Sequence, residues 1–186
     1  MLTVSRVQVL KPNRYKLGDR VHIYLGMELY TATAIKDNKD EGAMLFMFDT
    51  VLQDKRRYIV RYLDRRNSFK KTFEETDLFK FLKKLINKVP LKIRKQMVPF
   101  DNGNYFDLLS TKDVTGSEAI PYLTISQKRL IKFLKDRPTQ YWLKTPTGED
   151  SPGEFDYIDS RGIPDFSGEY ASTTLGICPI FKLKNK

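Results

Sequence analysis

One cysteine, one histidine and one tryptophan occur among 186 residues. Cys178, being alone, excludes an intrachain disulfide. Set between Ile177 and Pro179, it reads as a small buried apolar residue. The lack of disulfides mildly favours the cytosol. A Ser-His-Asp or Cys-His arrangement would have to use His22, which alternates with strand residues and suits a structural or surface position. No G-x-S-x-G elbow, Cys/His zinc cluster or Gly-rich phosphate loop occurs. These gaps point away from catalysis, and no cofactor or metal site is expected. No apolar run approaches the roughly 20 residues that span a bilayer. The Met1–Leu10 stretch is short and broken by Arg6, so no signal peptide is expected. Localisation in a virion or the cytoplasm fits. Internal repeats and low-complexity segments are also missing.

What is present is apolar residue enough for a core: 40% hydrophobic, with 12 Phe and 10 Tyr. The length fits a single domain over residues 15–186, preceded by an N-terminal arm over 1–14. The net charge is +10, unevenly spread. Residues 55–95 hold 15 basic and 4 acidic residues; the remainder holds 18 and 19. Residues 149–169 hold seven acids (Glu149, Asp150, Glu154, Asp156, Asp159, Asp165 and Glu169) against Arg161 alone. The chain is thus dipolar, with a basic middle and an acidic late loop.

Residue patterns predict strands first. Gly18-Asp19 marks a turn ahead of His22–Leu25, and Gly26 ends that run. Leu29–Ile35 is rich in β-formers, and Ala43–Leu52 is apolar enough for a buried strand, giving a meander. Residues 59–63 suit a further short strand. Leu78, Phe81, Leu82, Leu85, Ile86 and Val89 then fall on one helical face, so a helix is predicted from Thr76 to Val89, with Pro90 ending it. Phe79 lies off that face and should meet a neighbouring loop or strand. A second helix is predicted over Ser126–Lys135, with Ser126 as its N-cap and Pro138 marking its exit. Leu143, Phe155–Ile158 and Ile177–Leu183 supply late strands. Strands, then helices, then strands argue an α+β fold of small antiparallel sheets flanked by two helices.

The closing segments carry a pattern: Tyr141-Trp142-Leu143-Lys144-Thr145-Pro146, then Phe155–Asp159 and Gly162, then Gly176-Ile177-Cys178-Pro179-Ile180-Phe181-Lys182-Leu183. It resembles the closing signature W-W-L-R-S-P … G … G-V-R-P of a bacterial and phage domain of unknown function related to the C-type-lectin-like fold. Trp142, Pro146, Gly162, Gly176 and Pro179 match; Tyr141, Lys144, Thr145 and Cys178 replace Trp, Arg, Ser and Arg. Upstream, Phe73, Thr76, Leu78, Phe81 and Leu82 resemble the family's helix entry, and Leu108-Leu109-Ser110 with Asp113-Val114 its following strand and turn. The resemblance spans roughly residues 15–183. It implies a C-type-lectin-like fold, a binding or structural role, and a phage virion or accessory setting.

The basic segment is the main functional pointer. Lys55, Arg56, Arg57, Arg61, Arg65, Arg66, Lys70 and Lys71 surround Tyr58, Tyr62 and Phe69. Basic residues interleaved with aromatics suit phosphate contact with base stacking, as in an intracellular nucleic-acid-binding or host-interfering protein. The same patch suits docking on an acidic protein surface, including the acidic loop of a neighbouring copy, or a plain solvated face. Acids in 149–169 offer oxygen for calcium, but the E-P-N, Q-P-D and W-N-D patterns of calcium-dependent lectins are missing. Carboxylate pairs there could serve a glycosidase, yet so many acids pair by chance. A protein partner or assembly is therefore expected.

Overall fold

The computed structural model describes residues 14–52, 60–62, 72–148 and 153–185, with the side chains of 60–62 excepted. Of the expected N-terminal arm, only Arg14 falls among them.

The chain opens with a hairpin. β1 (Arg20–Leu25) alternates exposed and buried residues, sending Val21, Ile23 and Leu25 inward. A two-residue turn, with Gly26 at φ +68°, leads to β2 (Glu28–Asn38). A short 3₁₀ turn over Lys39–Glu41 then feeds β3 (Ala43–Phe48), which is buried along its whole length. Fully buried strands read as continuous apolar runs, as Met44–Phe48 does. β4 (Val60–Tyr62) follows.

α1 (Asp77–Leu85) is the longest helix among the described residues. Thr76 caps it, its hydroxyl accepting from Phe79 N at 3.2 Å. Leu78, Leu82 and Leu85 are buried, as the spacing predicts. Off-face Phe79 meets Phe73 edge-on at 5.7 Å. A 3₁₀ turn at Ile86–Lys88 and Pro90 close the element. Next come α2 (Leu91–Arg94), β5 (Met97–Val98), α3 (Thr111–Val114) and α4 (Pro121–Thr124).

The predicted helix over Ser126–Lys135 is not formed. A 3₁₀ turn at Gln127–Arg129 gives way to a hairpin of β6 (Lys132–Leu134) and β7 (Arg137–Thr139), turning at Lys135 with φ +56°. Tertiary bonds reach carbonyls within that span. Tyr141 Oη donates to Leu130 O at 2.9 Å, and Val51 N donates to Phe133 O at 3.3 Å. The expectation of two flanking helices is corrected accordingly: among the described residues, α1 is joined by three helices of only four residues each.

The late strands are β8 (Tyr141–Pro146), β9 (Glu154–Ile158), β10 (Pro164–Tyr170), β11 (Thr174–Gly176) and β12 (Ile180–Lys184). One five-stranded sheet runs β1-β2-β3-β12-β5 and a second runs β10-β9-β8-β11-β4. The fold is thus mixed sheet and helix, mostly strand. Among the described strands, pairing is antiparallel except for the contact of β11 with β8, and an isolated bridge between Thr50 and Phe133 is also parallel. The expected acidic loop is largely the β9–β10 hairpin.

The closing segments, 141–146 and 176–184, bridge the two sheets. Gly176 pairs with Tyr141 in the second sheet, whereas Ile180–Lys184 pairs with β3 in the first. Between them, Leu52 N donates to Ile177 O at 2.8 Å and Phe48 N to Pro179 O at 3.2 Å. A Cβ on Gly176 would meet Gln140 O and Val51 Cγ1 at 2.8 Å, so close backbone approach requires glycine there. Gly162, at φ +79°, lies as tightly against Gln127 O. Trp142 is fully buried, in a hydrophobic core shared with Phe46, Phe48, Phe106, Phe155 and Phe181. No described helix is long and apolar enough to cross a membrane.

Candidate functional site

A polar cluster joins the loop ahead of α3 to β8 and β9. Lys144, on β8, places Nζ 2.7 Å from Asp107 Oδ2. The Asp107 side chain is 2% exposed, while that of Lys144 is 32% exposed. Burial pushes the Asp107 carboxyl above its ordinary range; the Lys144 ammonium and the Leu108 N–H pull against that rise, and the Glu74 charge adds to it. The Asp107 backbone is fixed as well, exchanging both hydrogen bonds with Ile180 at 3.1 and 2.9 Å.

Around that pair the motif segments meet. Lys144 N donates to Leu109 O at 3.0 Å, and Thr111 N donates to Thr145 Oγ1 at 2.8 Å. Thr111 Oγ1 donates to Asp156 Oδ2. Ser110 N and Oγ donate to Asp113 Oδ2 at 2.7 and 2.6 Å. Residues 108–114 and 141–146, far apart in sequence, are thus fastened to each other. The arrangement locks a loop to a sheet.

The reactive types singled out in the sequence lie apart from that cluster. His22 is exposed on β1 and bonds Thr31 Oγ1 through Nδ1 at 3.1 Å. Cys178 is buried, its thiol pushed up to about 12 mainly by burial, and Sγ donates to Phe48 O at 3.3 Å.

Asp159 and Asp165 are held by donors close in sequence. Asp159 Oδ1 accepts from Arg161 N and Ile163 N, both at 2.8 Å, and Oδ2 from Arg161 Nε at 2.8 Å. Burial alone would raise the Asp159 carboxyl, but those donors outweigh it and hold it below the ordinary range. Asp165 is lowered first by the Ser167 hydroxyl and then by the Ser167 N–H and Tyr157 Oη. Tyr157 is in turn raised to about 12 by burial and by its bond to Asp165. Among the described residues, no group of three His, Cys, Asp or Glu side chains is placed to hold a metal.

The predicted basic patch falls elsewhere. Lys55, Arg56, Arg57, Arg65, Arg66, Lys70 and Lys71 lie outside the described residues. For Arg61 only the backbone is described, in β4, opposite Leu175.

Two exposed apolar surfaces escaped sequence reasoning. Tyr24 and Leu29 are cross-strand partners at the β1–β2 tip, beside Met27, which is 79% exposed. Gly26 N donates to Lys88 O at 2.8 Å, bringing the tip to the 3₁₀ turn after α1, three residues before exposed Leu91. Alternation along β1 was the available signal: if Ile23 and Leu25 face inward, Tyr24 faces out. The second surface is the β10 edge, with Ile163, Phe166 and Tyr170 exposed. Beside it, a shallow cleft of about 220 Å³ is lined by Val114, Leu123, Leu130 and Ile163, with Thr124 and Gln127.

No family model matches the chain, and no curated protein or solved structure matches it either.

Proposed function

We propose that this chain is a non-catalytic binding or structural module of a phage particle, or a phage accessory protein, acting through protein–protein contacts on a C-type-lectin-like fold. The observation that carries the reading is the β1–β2 tip. Tyr24, Met27, Leu29 and Leu91 leave large apolar side chains exposed, a feature of contact surfaces. The carboxylates Asp107, Asp159 and Asp165 are meanwhile held by neighbouring donors rather than poised for chemistry. The closing-signature resemblance supports the phage setting. Particles purified from a host carrying the gene should contain the chain. Met27→Lys with Leu29→Lys should exclude it from them while leaving the purified protein folded. A wild-type chain absent from particles and free in the lysate would overturn the reading.

A second reading rests on charge. Residues 55–95 carry nearly all the chain's excess of positive charge, which suits nucleic-acid contact. Binding in a gel shift should then fall steeply with salt and vanish when Arg56, Arg57, Arg65 and Arg66 are replaced together. No shift at low salt ends that reading.

A further inference from the structure

We infer that β1 pairs antiparallel with β1 of a second copy of this chain, in a two-fold dimer centred on His22. This rests on the protein-contact reading of the β1–β2 tip above and names its partner.

Four strands end the two five-stranded sheets: β1 and β5 in the first, β10 and β4 in the second. An end strand carries backbone groups on its outer side that another chain can pair with. β5 spans two residues and β4 three, which offers little to pair with. The register of β10 on β9 shifts between Asp165 and Glu169, with Gly168 at φ +78°. Such a bulge discourages an added strand. β1 instead runs six residues in unbroken register with β2, and holds no proline, lysine or acid to blunt it.

The two-residue turn fixes which groups of β1 face outward. Leu25 and Glu28 flank it, the position of the closing hydrogen-bonded pair in such a hairpin. At the far end Ala34 N donates to Asp19 O at 2.8 Å, in the same phase. Val21, Ile23 and Leu25 therefore spend their backbone groups on β2, and Arg20, His22 and Tyr24 turn theirs to the outer edge. Among the described residues, no backbone hydrogen bond reaches β1 from outside its ladder with β2.

A second copy fits this edge because the strand is self-complementary about His22. With His22 opposite its own copy, Arg20 of each chain opposes Tyr24 of the other, and all three outward residues are paired. Shifting the centre to Val21 or Ile23 sends one of the three past the strand ends. The Arg20 side chain is exposed and only loosely paired with Asp49, at 3.6 Å. Across the seam it meets the exposed Tyr24 ring, a favourable cross-strand cation–π pair. Leu17 and Met27 lie equally far from His22 along the chain, and both are exposed. The same centre sets the Leu17 turn of each copy beside the Met27 tip of the other. Apolar side chains that a lone chain leaves wet are thereby covered.

Analytical ultracentrifugation of the full-length protein over a concentration series tests this. The wild type should pass from monomer to dimer and no further. His22→Pro removes an outward N–H that the β2 ladder does not use. It should weaken dimerisation roughly tenfold or more, with an unchanged circular dichroism spectrum. Cross-linking reads the register even if that variant misfolds. His22→Cys puts two thiols at the two-fold axis with Cα atoms about 5.5 Å apart, within disulfide reach, and should oxidise to a covalent dimer. Thr31→Cys, one strand further in, places its thiols three strand spacings apart, about 14 Å, and should stay reduced. Cys178 is buried and does not compete. A wild type that stays monomeric throughout overturns the inference. So does a folded His22→Pro that dimerises as well as wild type, or cross-linking that does not favour residue 22 over residue 31. Entry into particles is read separately, so the broader reading can fail while the dimer stands, and the reverse.

Discussion

Asp107 and Asp159 are both buried aspartates with a cation on one oxygen, yet their acidities move in opposite directions. Asp107 sits deeper and receives one backbone N–H, from Leu108 at 2.9 Å, and the Lys144 ammonium. Burial outweighs both, and its carboxyl is raised. Asp159 receives two backbone N–H groups and the Arg161 guanidinium, and its carboxyl is lowered. The difference lies in where the donors come from. Asp159 is served by its own turn, two and four residues on, where amides converge as the chain bends. Asp107 depends on a lysine 37 residues away. One carboxylate holds a local turn; the other holds a long-range junction at a net electrostatic cost.

Lys144→Met tests that dependence most severely. It leaves Asp107 buried and uncompensated, a change that costs roughly 3–5 kcal/mol for a fully buried pair. Partial exposure of Lys144 lowers the expectation to about 2–4 kcal/mol at pH 7, read from urea unfolding. The loss should shrink as the pH falls. A raised carboxyl means that the folded state binds its proton more tightly than the unfolded chain does. Between the folded and the unfolded values, stability therefore rises as pH falls, and protonation removes the unpaired charge. A loss under about 1 kcal/mol, or one that grows on acidification, would show that Lys144 is not what holds Asp107.

The same contrast explains what the sequence disclosed. The α1 face, buried Cys178 and the first three strands follow from periodicity or residue type within a few positions. The Asp107–Lys144 junction does not, because nothing local in either segment specifies its partner. Ser126–Lys135 misled for the opposite reason. Leu130, Ile131, Phe133 and Leu134 satisfy a helical face locally, but bonds from Tyr141 and Val51 to their carbonyls select a turn and hairpin. The 149–169 acids resemble a solvated loop by composition; hydrogen bonds within β9, β10 and their turn absorb several of them.

Asp159→Asn should cost less than Lys144→Met, about 1–2 kcal/mol at pH 7. The amide oxygen can still accept from a backbone N–H, but the guanidinium loses its anion. Its pH window also differs. A lowered carboxyl contributes stability above its unfolded value, and that contribution is lost as pH falls through the lower folded value. The penalty of Asp159→Asn should therefore persist through the mildly acidic range in which the Lys144→Met penalty is already shrinking. Parallel unfolding curves across that range decide it. Penalties that fade together would mean that the two carboxylates are not electrostatically distinct.

Arg161→Ala should have the smallest effect. The Arg161 Nη2–Asp159 Oδ2 contact is 2.7 Å, but the arginine side chain is 75% exposed. Exposed ion pairs contribute about 0–1 kcal/mol, because water screens the attraction and ordering a long side chain costs entropy. The backbone N–H groups of residues 161 and 163 survive the substitution and keep Asp159 Oδ1 occupied. Asp159 should thus stay below the ordinary carboxylate range, moving only part of the way back. NMR titration of the Asp159 carboxyl carbon in wild type and variant measures this directly. A carboxyl that returns fully to its ordinary value would mean that the guanidinium, not the turn, lowers it. Asp159 would then depend on a side-chain cation as Asp107 does, and the contrast between local and long-range donors would fail.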